Sequence, residues 1–307
     1  MFGSHLSIAG SMTNALDEAQ SLGLDCVQVF TKNQQQWKAP SLKAEVIAGW
    51  KKSLGQMAWL KDGRTSPRVV SHASYLANMA SPNDELREKS IALMREELER
   101  CEQLDIPLLV FHPGAYTTSS LEDGIARIAS AVASILKDTA GYKTVMCFEN
   151  VAGAGSTVGR TFEELATLRA RVIDQGGPAQ RVGFCIDTCH AHAAGYDLST
   201  AASTRESLDK LLSTLGPETI RCLHLNDSKG KAGSRLDRHE HIGAGTIGQS
   251  GFATFLACEH FSDIPKIMET PKGEKEKGLA WDTVNVTLLR KLCAAPQTVR
   301  PKARARR

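Results

Sequence analysis

No stretch of this 307-residue chain approaches the roughly 20 consecutive apolar residues that a membrane-spanning helix requires. Nor does its start, MFGSHLSIAG, carry the basic and apolar segments of a secretory leader. Both absences lead us to expect a soluble, cytoplasmic protein with no membrane partner. The eight cysteines include no CxxC pair: Cys185 and Cys189 are four apart, and Cys26, Cys147, Cys185 and Cys222 sit inside apolar, strand-like runs. They read as small packing residues rather than as a disulfide framework or a zinc knuckle. The body of the chain also lacks a positive surplus. The last eight residues, RPKARARR, hold five of the 37 Lys and Arg and none of the 34 acids, which leaves 32 basic against 34 acidic side chains over residues 1–299. The formal +3 therefore resides in a tail too polar to bury a core. No linker-like composition interrupts the remainder, so the expected organisation is one domain over residues 1–293 and a disordered basic tail over 294–307.

What the chain does have is a repeat. Six short apolar runs each end in a residue able to hold a metal: RVVSHA at His72, LLVFHPG at His112, TVMCFEN at Glu149, VGFCIDTCH at Asp187, IRCLHLND at His224 and PKIMET at Glu269, at intervals of 37 to 45 residues. One strand, one helix and two loops fill such an interval, so the runs read as successive βα units. Two earlier runs, FGSHLS at the amino end and CVQVF at 26–30, bring the count to eight and predict a single (β/α)8 barrel. In that fold every strand's carboxyl end lies on one rim.

Helix signals fall between the runs. Ser81 and Pro82 are expected to open a helix with Leu86, Ser90, Leu93, Met94, Leu98, Cys101 and Leu104 near one face. Thr161 with Glu164 and Ser203 with Glu206 have capping-box spacing, and Gly216–Pro217 closes the helix before strand seven. GAGTIG at 243–248 matches the letters of a dinucleotide-binding loop but follows DRHEHI, which is not a strand, and GAGSTVG at 153–159 follows a strand with the wrong spacing. Both read as loops whose backbone comes close to something at the rim.

Three more donor-type residues join the six strand ends: His190, three after Asp187, and Asp237 and His239 in the loop after strand seven. Nine such groups on one rim are costly to desolvate without cations. Each zinc takes about four donors, so nine suit three ions better than one, and imidazole with carboxylate suits zinc without excluding manganese or iron. Three divalent ions against the charges of Glu149, Asp187, Asp237 and Glu269 would leave about +2 in a concave mouth, which favours an anionic substrate such as a phosphodiester.

In order along the chain, SHASYL, VFHPG, FENVAGAGS, CIDTCHAHAAGYD, LHLNDSK, GSRLDRHEHIGAGTIG and MET resemble the motif series of the endonuclease IV family of apurinic/apyrimidinic endonucleases, over about Phe2 to about Leu292. The resemblance implies a TIM barrel that holds three zinc ions. It also implies a monomer that cleaves double-stranded DNA 5′ to abasic sites and leaves a 3′-hydroxyl and a 5′-deoxyribose phosphate. Carried over residue by residue, it assigns His72, His112 and Glu149 to one zinc. Glu149, Asp187, His224 and Glu269 go to a second, so that Glu149 bridges, and His190, Asp237 and His239 go to a third. Glu149 and Glu269 carry the catalytic assignment, Glu269 by orienting the attacking water. Tyr75, Leu76 and Gln35 stand where the family wedges into DNA, Gln35 in place of an arginine, which bears on affinity rather than on the reaction. His192 is read as a non-ligand. Two alternatives follow. Sugar isomerases and epimerases of the related barrel group share the Glu149, Asp187, His224 and Glu269 quartet but leave the other five donors without a use. A non-catalytic lesion-binding protein with structural zinc leaves the shared carboxylate without one.

Overall fold

The computed structural model describes residues 1–61, 64–65 and 67–294, so the expected tail lies outside the described residues except for Ala294, which ends the last helix. Eight strands, β1 (Phe2–His5), β2 (Cys26–Val29), β3 (Val69–His72), β4 (Leu108–Phe111), β5 (Val145–Glu149), β6 (Val182–Asp187), β7 (Ile220–His224) and β8 (Lys266–Met268), pair in parallel. They close in the order β1-β8-β7-β6-β5-β4-β3-β2. This is the expected (β/α)8 barrel. The helices that follow are α1 (Asn14–Ser21), α2 (Ala44–Gln56), α3 (Asp84–Gln103), α4 (Leu121–Asp138), α5 (Phe162–Asp174), α6 (Thr188–Ala194), α7 (Ala201–Leu215), α8 (Gly248–Leu256) and α9 (Trp281–Ala294). Short α6, directly after β6, was not expected. Asp187 creates it by capping: its Oδ1 accepts from the His190 N–H at 2.8 Å.

Alternation along the strands explains the placement of the site. Successive side chains of a strand point to opposite faces, so residues two apart share one. Val70, Cys147, Cys185, Cys222 and Ile267 belong to one buried apolar cluster, together with Cys26 and Val110. The residues two further on are His72, Glu149, Asp187, His224, Glu269, Gln28 and His112. Met146, Phe148, Phe184 and Ile186, of opposite parity, pack in the larger core with the helices. An apolar layer of small and branched side chains thus floors a polar layer on the same face. The cysteines fit this floor because the space is narrow; at Gly3 a Cβ would lie 2.0 Å from the Cys26 carbonyl oxygen.

Two helix starts differ from expectation. α3 begins at Asp84, where Asn83 Oδ1 accepts from Leu86 N at 2.8 Å, while Ser81 Oγ is spent one step earlier on Asn83 N. α7 begins at Ala201 with Thr200 as the cap and Ser203, the expected cap, as its reciprocal partner. Thr161 does cap α5, but Glu164 accepts from Gly159 N and Arg160 N instead of completing a box. Gly216 ends α7 with a φ of 79°, as its position before Pro217 implied. Among the described residues no helix is long and apolar enough to cross a membrane.

Candidate metal centre

Every one of the nine expected donors reaches the same end of the barrel. Glu149, wholly buried, lies at the middle. Its Oε2 is 3.1 Å from His72 Nε2 and 3.3 Å from His112 Nε2, and its Oε1 is 3.0 Å from His224 Nδ1 and 3.3 Å from His190 Nδ1. His72, His112 and Glu149 offer ligand atoms within 4.8 Å of one another, and so do Glu149, Asp187, His224 and Glu269. Further along the mouth, Asp237 Oδ1 is 3.3 Å from His190 Nε2 and 3.4 Å from His239 Nε2. Asp187 joins His190 and His239 in a further group, and Cys189 joins Asp237 and His239. Burial pushes the Cys189 thiol up to about 12.

Hydrogen bonding decides which face each imidazole presents. His72 Nδ1 donates to Ala73 O at 2.7 Å, His190 Nδ1 to Asn150 O at 2.9 Å and His239 Nδ1 to Glu269 O at 3.0 Å, because a carbonyl can only accept. A neutral ring so bonded turns its Nε2 lone pair on the facing carboxylate. His239 Nε2 is buried with no hydrogen-bond partner among the described residues. Lone pair against anion, repeated ring after ring, is unfavourable unless a proton or a cation stands between them. Imidazole and carboxylate at these separations are the donors that divalent zinc takes, so the residues fit the ions.

Around the mouth, half-buried His112 and exposed Asp237 leave the centre open to solvent. Tyr75, 56% exposed, stands at this lip with its ring 5.1 Å from His72 and 5.6 Å from His112. Leu76 follows it, half-buried, and Gln35 is exposed on the neighbouring loop, which Ser74 Oγ ties down by donating to Gln34 O. His192 lies apart from the donor groups: its Nδ1 accepts from Leu198 N and its Nε2 meets Thr246 Oγ1.

Residues 16–286 match the xylose isomerase-like TIM barrel family. The chain is 42% identical over 292 residues to a protein of Chloroflexus aurantiacus named probable endonuclease 4, covering 95% of this chain and 97% of that one. It superposes on the crystal structure of endonuclease IV from Thermus thermophilus with a TM-score of 0.79 at 34% identity, covering 95% and 98% of the two chains. The chain belongs to the endonuclease IV family. That membership makes it a nuclease. A D-tagatose 3-epimerase-like protein is similar at a TM-score of 0.68 and 20% identity, which shows a shared fold and does not favour the isomerase alternative.

In this family member two residues of the polar layer escaped the reading of the sequence. His5 and Gln28, register partners on β1 and β2, complete the layer, and both contact Glu269 Oε1, at 3.2 and 2.6 Å. The signal was present: each lies two residues beyond a floor position, Gly3 and Cys26.

Without cations, protons do the balancing. Burial alone would raise the Glu149 and Glu269 carboxyls, yet His224 with His112 for the first, and His224 with His5 for the second, hold both well below 4.5. Burial alone would lower His190 and His224, yet Asp187 and Asp237 for the first, and Glu269 and Glu149 for the second, hold both well above 6.5. A raised histidine stabilises the fold fully below 6.5 and loses that contribution as pH rises through its folded value. A lowered carboxyl contributes fully above 4.5 and loses it as pH falls. The chelator-stripped chain should therefore lose stability on the alkaline side. The loaded chain should gain there as protons stop competing for the imidazoles. Tm measured from about pH 6 to about pH 9, with and without chelator, is expected to slope in opposite directions; parallel slopes would contradict the reading.

Proposed function

We propose that this chain hydrolyses the phosphodiester 5′ to an abasic site in double-stranded DNA, using three zinc ions and leaving a 3′-hydroxyl and a 5′-deoxyribose phosphate. What carries the reading is the convergence of imidazole lone pairs on Glu149, Asp187, Asp237 and Glu269 in a mouth that opens at His112 and Asp237. His72, His112 and Glu149 would hold one ion, Glu149, Asp187, His224 and Glu269 a second, and His190, Asp237 and His239 the third. Divalent ions there supply Lewis acidity toward phosphate oxygens and bring the pKa of water to about 7. The chain's own groups do the remainder. Glu149 reaches both the His72–His112 side and the His224 side with its two oxygens, so one carboxylate ties two ligand sets together. Glu269, its backbone N–H bonded to Asn226 Oδ1 at 2.7 Å, is assigned to orient the attacking water. Tyr75 and Leu76 supply an apolar wedge at the lip, and Gln35 fills space there without attracting phosphate. All nine donors come from one chain, so a monomer would suffice as the acting unit.

Five of these donors, His72, His112, His190, Asp237 and His239, have no use in a one- or two-metal sugar isomerase. The deciding experiment pairs metal analysis with a nicking assay on abasic and intact duplexes. About three ions per chain and abasic-specific cleavage that prolonged chelation abolishes are expected. A fully loaded sample that leaves the abasic duplex intact would end the proposal.

A further inference from the structure

Gln28 is fully buried at the end of β2, beneath the mouth, and every polar atom of its amide is engaged. Its Oε1 lies 2.8 Å from His224 Nε2. Its Nε2 lies 2.6 Å from Glu269 Oε1 and 3.0 Å from His5 Nδ1. Chemistry fixes the sense of this amide: turned over, it would press an oxygen against a carboxylate oxygen. Oε1 must then accept from His224 Nε2–H. That leaves the His224 Nδ1 lone pair aimed between Glu149 Oε1, at 3.0 Å, and Glu269 Oε2, at 3.3 Å. His72, His190 and His239 are oriented by backbone carbonyls, so their bonds survive any side-chain substitution. His224 is oriented by a side chain, and the same side chain holds Glu269.

We propose that Gln28 is a positioning residue: through one amide it sets the ring face of His224 and the carboxylate of Glu269, and so governs how firmly the Glu149, Asp187, His224 and Glu269 set retains its ion. The inference rests on the metal reading of that set. An outer hydrogen-bond partner of a ligand typically changes metal affinity by about 10- to 100-fold.

Two full-length variants separate the bonds. Gln28→Met keeps the volume and removes every hydrogen bond; Gln28→Glu keeps an acceptor for His224 and removes the donor to Glu269. The first readout is zinc release to a competing chelator. Gln28→Met is expected to weaken retention of one ion by about 10- to 100-fold while the others match the parent. The second is the imidazole N–H signal of His224 Nε2 in proton–nitrogen NMR, which exists with or without zinc. It should be slowly exchanging in the parent, fast or lost in Gln28→Met, and restored in Gln28→Glu. A merely structural role would not produce that restoration. Parental zinc retention in Gln28→Met, or an unaltered His224 signal, overturns the proposal. Should the parent chain bind no ion, the metal reading fails by itself, and the NMR comparison still decides whether Gln28 orients His224. Should Gln28→Met fail to fold, Gln28→Glu decides: the His224 signal must persist while retention of one ion falls.

Discussion

Glu149→Gln is expected to reduce cleavage of an abasic duplex by more than about 10³-fold, beyond the roughly 10- to 100-fold that loss of an outer partner costs. The carboxylate of Glu149 faces nitrogens of His72, His112, His190 and His224 with two oxygens. Glutamine keeps the shape but replaces one of these anionic oxygens with an NH₂, which has no lone pair to give a cation. A neutral amide cannot serve as a carboxylate ligand to two ligand sets, so metal content should fall in both sets that include residue 149. The metal-free fold should be less stable than the parent, because the buried histidines that Glu149 helps to hold in the protonated state lose a counter-charge. Metal per chain, nicking rate and the Tm of the stripped protein together check this. Parental nicking with a full metal complement would show that Glu149 is not the shared ligand. A metal-free fold as stable as the parent would show that the Glu149 charge does not balance these histidines.

Six strand ends were legible because one chemical rule, an apolar run closing on a donor, is local to each run. Glu149 on β5, Asp187 on β6 and His224 on β7 needed nothing beyond the rise of a strand and the parallel closure that lines strands up. His5 and Gln28 obey the same geometry and escaped because FGSH is a meagre apolar run and glutamine is not a metal-donor type. Helix starts were misplaced by two and three residues, at Asn83 and Thr200, because Ser, Thr and Asn compete as caps and only the backbone direction chooses among them. The short helix α6 was hidden because Asp187 serves two ends at once, capping through Oδ1 and facing the mouth through Oδ2. The glycine-rich GAGTIG segment follows no barrel strand directly, and what its backbone approaches lies about 20 residues earlier in the chain and is invisible locally.

That object is the side chain of Asp227. It is fully buried, and its Oδ1 accepts from Ser228 N at 2.8 Å and Ile247 N at 2.9 Å. Its Oδ2 accepts from Gly243 N at 2.9 Å, Gly245 N at 3.1 Å and Gly248 N at 3.2 Å. A nest of backbone N–H groups of the kind that grips a phosphate is filled by the protein's own carboxylate. Gly245 is needed because a Cβ there would stand 2.4 Å from Ser228 O and 2.5 Å from Asp227 Oδ1. Removing the carboxylate strands several buried donors at once, and each stranded group costs about 1–3 kcal/mol before the loop relaxes. Asp227→Ala is therefore expected to destabilise the fold by about 3–5 kcal/mol, read from urea denaturation with the chain fully metal-loaded. Asp227→Asn should cost nearly as much, because its NH₂ meets N–H groups that are themselves donors. The damage should also reach the mouth. Asp227 pairs with Glu240 and Ser228 with His239 in a two-residue antiparallel ladder, so the loop that Asp227 anchors is the one that presents His239. Loss of the ion assigned to His190, Asp237 and His239 should accompany the loss of stability. Parental stability in Asp227→Ala would mean that water replaces the carboxylate in the nest, and the link from this aspartate through the glycines to the metal mouth would be broken.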